Sequence, residues 1–132
     1  TPRKGRDKIL VQFCHGAPGM ILGLARLPHS ADVDALFTAG AETIWRAGPL
    51  AKGSGLCHGT AGNGVALLAM FERSGDERWL DRARRFAIHA LHQVRARADT
   101  GRHSLWTGDP GVALFLQDCI DGTARLPGLD AL

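Results

Sequence analysis

The chain alternates short, almost wholly apolar runs with longer amphipathic stretches, and each apolar run begins just after a glycine-rich turn. From Pro18, residues Met20, Ile21, Leu24 and Ala25 predict a short apolar helix that Pro28 must end, because proline has no amide to donate. Ala31 to Ala47 places Val33, Leu36, Phe37, Ala41, Ile44 and Trp45 at a period of about 3.6 residues, opposite Asp32, Asp34 and Glu42. That pattern predicts an amphipathic outer helix, closed by Gly48-Pro49. Gly62 to Arg73 is more uniformly apolar and predicts an inner helix ended by Ser74-Gly75-Asp76. Glu77 to Arg97 then puts Leu80, Ala83, Phe86, Ala87, Ala90, Leu91 and Val94 on one stripe, away from Arg78, Arg82 and Arg85, with Asp76 as N-cap. Asp99 to His103 reads as loop, and Val112 to Ile120 predicts a last apolar helix before a tail containing Pro127. Thr1 to Lys8 is polar and basic, a loop or frayed end, while Ile9 to Phe13 fits an extended lead-in and a turn equally well.

Superposing the turns exposes a repeat: Gly16-x-x-Gly19, Gly59-x-x-Gly62 and Gly108-x-x-Gly111 each open an apolar helix, at offsets of 43 and 49 residues. This is the spacing of helical-hairpin repeats, whose units must stack to bury their apolar faces. All-round apolar helices belong inside and amphipathic ones outside. The glycines let each turn crowd its neighbours without a Cβ in the way. The expected fold is therefore all-α.

Composition narrows the partners. With 132 residues and 45% hydrophobic content, one modest core in one domain is expected. The net charge of +3 comes from 16 Lys+Arg against 13 Asp+Glu, and the basic residues are scattered apart from Arg3-Lys4-Gly5-Arg6 and Arg82, Arg84 and Arg85. A nucleic-acid footprint would show a clustered basic stripe interleaved with aromatics; with no Tyr and only five Phe, the pattern fits an ordinary solvated surface better. No run reaches the ~18 apolar residues of a membrane span, and no signal peptide is evident. A soluble, cytoplasmic protein is expected. The chain begins on Thr1 rather than Met, as expected of a processed product or a piece of something longer.

Three cysteines, Cys14, Cys57 and Cys119, are too few and too odd for a disulfide framework and point to thiol or metal chemistry. Two stand in equivalent turns, Phe13-Cys14-His15-Gly16 and Leu56-Cys57-His58-Gly59. Helical neighbours point about 100° apart, so a Cys-His pair converges on one atom only where the backbone is irregular, as in a glycine-flanked turn. Cys14, Cys57 and His58 make a three-ligand set, which with one open position is the pattern of catalytic zinc. Burial of both thiols as small hydrophobes fits the spacing as well. A disulfide between the turns is disfavoured in a reducing compartment, and His58 is too close in sequence to Cys57 to serve readily as its base. His15 is a further ligand candidate or a turn residue. His89 and His92 fall on the outer helix, His29 and His103 in loops, and Cys119 in an apolar helix as a core thiol. Lys52 and Arg102 precede inner helices at the same end of the bundle, where anion recognition and plain solvation are both open.

The segments Phe13-Cys14-His15-Gly16-Ala17-Pro18-Gly19, Gly55-Leu56-Cys57-His58-Gly59-Thr60-Ala61-Gly62 and Ser104-Leu105-Trp106-Thr107-Gly108-Asp109-Pro110-Gly111 resemble the last three repeats of the LanC-like, or lanthionine-cyclase, family. The likeness runs through the Arg125-Leu126-Pro127 tail, nearer the eukaryotic-type branch than the bacterial lantibiotic cyclases. The resemblance implies an α/α toroid of helical hairpins, of which residues 1–132 would be the C-terminal portion, about three hairpins in a single domain. It implies zinc on Cys14, Cys57 and His58, and a glutathione contact at Lys52. The implied function is addition of a thiol, from glutathione or a peptide cysteine, to a dehydroamino-acid peptide; the alternative is a non-catalytic zinc- and glutathione- or peptide-binding module. The pattern departs from the family at Phe13, where tryptophan is usual, and at Thr107-Gly108-Asp109, where the acidic residue normally precedes the glycine. The matched repeats do not include the one carrying the family's catalytic histidine. Three hairpins cannot close such a ring, so two apolar edges are expected, covered in an oligomer or by further hairpins.

Overall fold

The computed structural model describes residues 9–97 and 100–128. The basic stretch Thr1 to Lys8 and the loop residue Asp99 lie outside the described residues. Among the described residues five helices follow in order: α1 (Ala17–Leu24), α2 (Ala31–Ala47), α3 (Thr60–Ser74), α4 (Glu77–Arg95) and α5 (Asp109–Asp121). The fold is all-α, a row of helical hairpins: α1 pairs with α2 and α3 with α4, while α1, α3 and α5 lie side by side as the inner row.

Local chemistry sets the boundaries. Ser30 caps α2 by accepting the Val33 amide, and Asp76 caps α4 by accepting the Arg78 amide. Gly48, Gly75 and Gly122 end α2, α3 and α5 with positive φ, the conformation that costs glycine least. Gly16, Gly59 and Gly108 stand at the N-caps of α1, α3 and α5. The repeat read from the sequence is thus a repeat of helix starts.

The middle inner helix has a neighbour on every side, and its residues from Thr60 to Met70 are all buried. The core spreads from it to Ile44, Leu56, Phe86, Phe115 and Trp79. Trp79, outside the stripe expected for α4, is nevertheless buried in the core, with the guanidinium groups of Arg78 and Arg82 over its ring, each 4.8 Å from the centroid. Arg82 also covers Trp45 and bonds Glu42 at 2.8 Å. Long basic side chains on the outer helix therefore close the core as well as facing solvent.

Among the described residues, the two flanking inner helices are covered on one side only. Leu36, expected on the buried face of α2, is 73% exposed, and Met20 on α1 is 62% exposed. With Leu24, Val33 and Phe37 they line an open apolar groove between α1 and α2. Leu114 and Ile120 are exposed on α5. Exposed apolar side chains therefore lie at both ends of the helical row. Cys119 is buried as expected, and burial, with the nearby Asp118, pushes its thiol up to about 12.

Candidate metal centre

The three turns that start the inner helices stack on one another through equivalent peptide groups. The Cys14 amide donates to the Cys57 carbonyl at 3.1 Å, and the Cys57 amide donates to the Trp106 carbonyl at 2.8 Å. Cys14, Cys57 and Trp106 each stand two residues before an N-cap glycine. One hydrogen bond is thus handed from repeat to repeat, fixing the height of each turn relative to the next. Phe13 and Trp106 stack across the middle turn with ring centroids 5.7 Å apart. The second glycine of each repeat lets its own turn lie close over the helix start: a Cβ on Gly19, Gly62 or Gly111 would strike the carbonyl oxygen of Phe13, Leu56 or Leu105.

This stacking brings Cys14, Cys57 and His58 together, with one ligand atom from each, all within 4.8 Å of one another. Among the described residues this is the one such cluster of three or more His, Cys, Asp or Glu side chains. Cys14 is exposed, whereas Cys57 and His58 are half-buried. Burial, and then the adjoining Cys14 thiol, hold the Cys57 thiol above its ordinary 9.0, while the Lys52 charge pulls it down. Two soft sulfur donors and an imidazole suit zinc rather than magnesium or calcium, and three donors leave a tetrahedral ion one open position. The donor set therefore fits the metal that the resemblance implies.

The first amides of α3 do not serve the thiols. Those of Thr60 and Ala61 donate to the carbonyls of Gly53 and Ser54, each at 3.0 Å, so the loop before the helix caps it. That loop carries Lys52, which is exposed and lines a shallow cleft with Gly53, His58, Arg102 and Thr107. It is pinned from behind: Thr60 Oγ1 accepts the Leu50 amide at 3.2 Å and donates to Gln93 Oε1 at 2.7 Å, and Gln93 Nε2 donates to the Leu50 carbonyl. Arg97 adds a bond to Ser54 Oγ at 2.6 Å.

The remaining candidates separate from the cluster. The backbone N–H and C=O of His15 pair with those of Gln12, both at 3.0 Å, closing the tight turn that presents Cys14. His29 lies 3.1 Å from the Asp34 carboxylate in the α1–α2 loop, and His89, His92 and His103 are exposed. Asp109, the acidic residue that follows Gly108, lies 3.8 Å from Arg97. Gln12 and Asn63 were missed by sequence reasoning. Gln12 Nε2 donates to Cys14 Sγ at 3.3 Å, and Asn63 Nδ2 donates to the Val11 carbonyl at 2.9 Å. The available signal was a lone polar residue in each of two apolar runs.

A row of helical hairpins whose stacked turns gather two thiols and an imidazole defines a class, a helical-repeat protein with a candidate metal centre. The chain belongs to the lanthionine synthetase C-like protein family, whose model matches residues 1–131. It is 38% identical over 127 residues to a Danio rerio protein named glutathione S-transferase LANCL1, a match covering 90% of this chain and 31% of that protein. It is 32% identical over 136 residues to the LanC-like protein GCL1 of Arabidopsis thaliana, covering 95% of this chain and 31% of that one. The chain thus spans less than a third of the length of either relative.

Proposed function

We propose that residues 1–132 form a single domain, the C-terminal portion of a LanC-like toroid, holding zinc on Cys14, Cys57 and His58 for addition of a thiol to a dehydroamino acid. The convergence of those three side chains within 4.8 Å carries the reading. A zinc ion bound there would lower the pKa of a substrate thiol and keep it ionised at neutral pH. Cys14 and Cys57 would hold the ion as thiolates, His58 as neutral imidazole. In the reaction the sulfur bonds to the β-carbon of the dehydroamino acid and a proton goes to the α-carbon, with no oxidant or reductant consumed.

Glutathione or a peptide cysteine is the thiol in this proposal; glutathione is favoured by the name of the Danio rerio relative. Lys52, exposed at the cleft beside His58, would attract a glutathione carboxylate. A pair of reduced thiols suits a cytoplasmic location, and among the described residues no helix is long and apolar enough to cross a membrane.

Metal analysis of the reduced chain tests the centre: one zinc per chain is expected, lost in Cys57→Ala. A chain free of zinc when purified without chelator, and taking none up on titration, overturns the proposal. Incubation with glutathione and a dehydroalanine peptide tests turnover. Adducts above the uncatalysed rate support catalysis by these repeats; zinc and glutathione binding without adducts would leave the binding-module reading.

A further inference from the structure

Gln12 is only 7% exposed, yet its amide is spent on a sulfur: Nε2 donates to Sγ of the exposed Cys14 at 3.3 Å. A thiol is a weak acceptor, and a buried amide donor aimed at one gains little unless the sulfur carries charge. The segment bearing it is held on both sides. The Val11 carbonyl accepts from Asn63, fully buried in the first turn of α3, and Gln12 itself closes the 12–15 turn through its paired backbone bonds with His15. The Cys14 amide is tied to the Cys57 carbonyl. With the backbone of Cys14 fixed by these bonds, the direction of its side chain is the freedom left, and the Gln12 amide is placed to restrict it. Glutamine suits the task because it supplies a neutral donor; a glutamate of the same shape would set a negative charge against two thiolates.

We propose that Gln12 is a positioning residue of the metal centre: its Nε2–H aims Cys14 Sγ toward Cys57 and His58 and stays bonded to that sulfur when a metal is held. The proposal rests on the reading of Cys14, Cys57 and His58 as metal ligands. Partners of this kind orient the ligand and withdraw electron density from it.

Cobalt(II) titrated into the reduced, metal-free full chain, followed by thiolate-to-metal charge-transfer absorption, tests it in wild type, Gln12→Met and Gln12→Glu. Both variants are expected to bind cobalt about 10–100-fold more weakly. In Gln12→Met the charge-transfer band should also move to lower energy, because a sulfur without its donor is more electron-rich. Thermal unfolding of the metal-free proteins separates positioning from folding. Variants with wild-type cobalt affinity and band energy would overturn the role of Gln12 while leaving the metal centre standing, as would weaker binding matched by lost metal-free stability with an unmoved band. Wild type that takes up no cobalt overturns the metal reading and this proposal with it. Should Gln12→Met fail to fold, Gln12→Glu, which keeps the side chain's size, still decides by its affinity.

Discussion

Replacing Gly62 with alanine sets two opposing effects against each other. In a helix interior glycine costs about 0.5–1 kcal/mol relative to alanine, so the substitution should stabilise where there is room. At Gly62 there is none: the new Cβ would strike the Leu56 carbonyl oxygen, with its carbon at 2.9 Å and Phe13 Cβ at 3.3 Å. The obstacle is backbone, and it is held in place. Leu56 is buried, the next amide donates to the Trp106 carbonyl at 2.8 Å, and the Ala61 amide donates to Ser54 at 3.0 Å. Overpacking of this kind costs about 1–3 kcal/mol, and a carbonyl that cannot swing aside puts Gly62→Ala near the upper end. Net of the helical gain, a loss of about 2 kcal/mol is expected. Gly23 is the control, since a Cβ there meets nothing within 4 Å; Gly23→Ala should gain about 0.5 kcal/mol. At about 4 °C per kcal/mol, the two variants should melt about 10 °C apart, with wild type between them. Circular dichroism melts on reduced, metal-free protein measure this. Gly62→Ala melting at or above Gly23→Ala would refute the idea that this glycine serves close approach of the turn to its own helix start.

Further outcomes follow from the same geometry. Thiol alkylation of the metal-free protein at pH ~8 should reach the exposed Cys14 first, Cys57 more slowly and native Cys119 scarcely at all; mass mapping that finds Cys119 modified as fast as Cys14 would contradict the packing of α5. Thr60→Val removes the acceptor for the Leu50 amide and the donor to Gln93. It should cost about 1–3 kcal/mol and speed amide exchange around Leu50, whereas unchanged exchange there would show that the loop bearing Lys52 is held by other means. The hydrogen bond from Arg73, foremost, keeps the Asp34 carboxyl below its ordinary 3.8, so its contribution to stability is present above that pH and is lost as pH falls through the lower folded value. The stability gap between wild type and Asp34→Asn should shrink in acid denaturation series, and a gap constant from neutral pH to ~2 would rule the pair out as its source.

What the sequence determined by itself was whatever depends on local periodicity and on residue chemistry. The α2 stripe, the Asp76 cap and the Gly-x-x-Gly helix starts are short-range patterns, and each is found where the residues place it. The pairing of Cys14 with Cys57 and His58 was legible because the repeat makes their turns equivalent, so stacking of repeats implies convergence. Tertiary structure decided which apolar residues are covered. Leu36 and Ile44 belong to the same helical stripe, yet Ile44 is fully buried and Leu36 is open, because burial depends on a neighbouring helix that the stripe does not specify. It decided that Arg78 and Arg82 cover Trp79. It alone put Gln12 against Cys14 and Asn63 against Val11, the latter contact joining residues 52 positions apart. Such contacts arise from the register between stacked turns, set by amide-to-carbonyl bonds that every residue but proline can make, and side-chain sequence therefore carries little record of them.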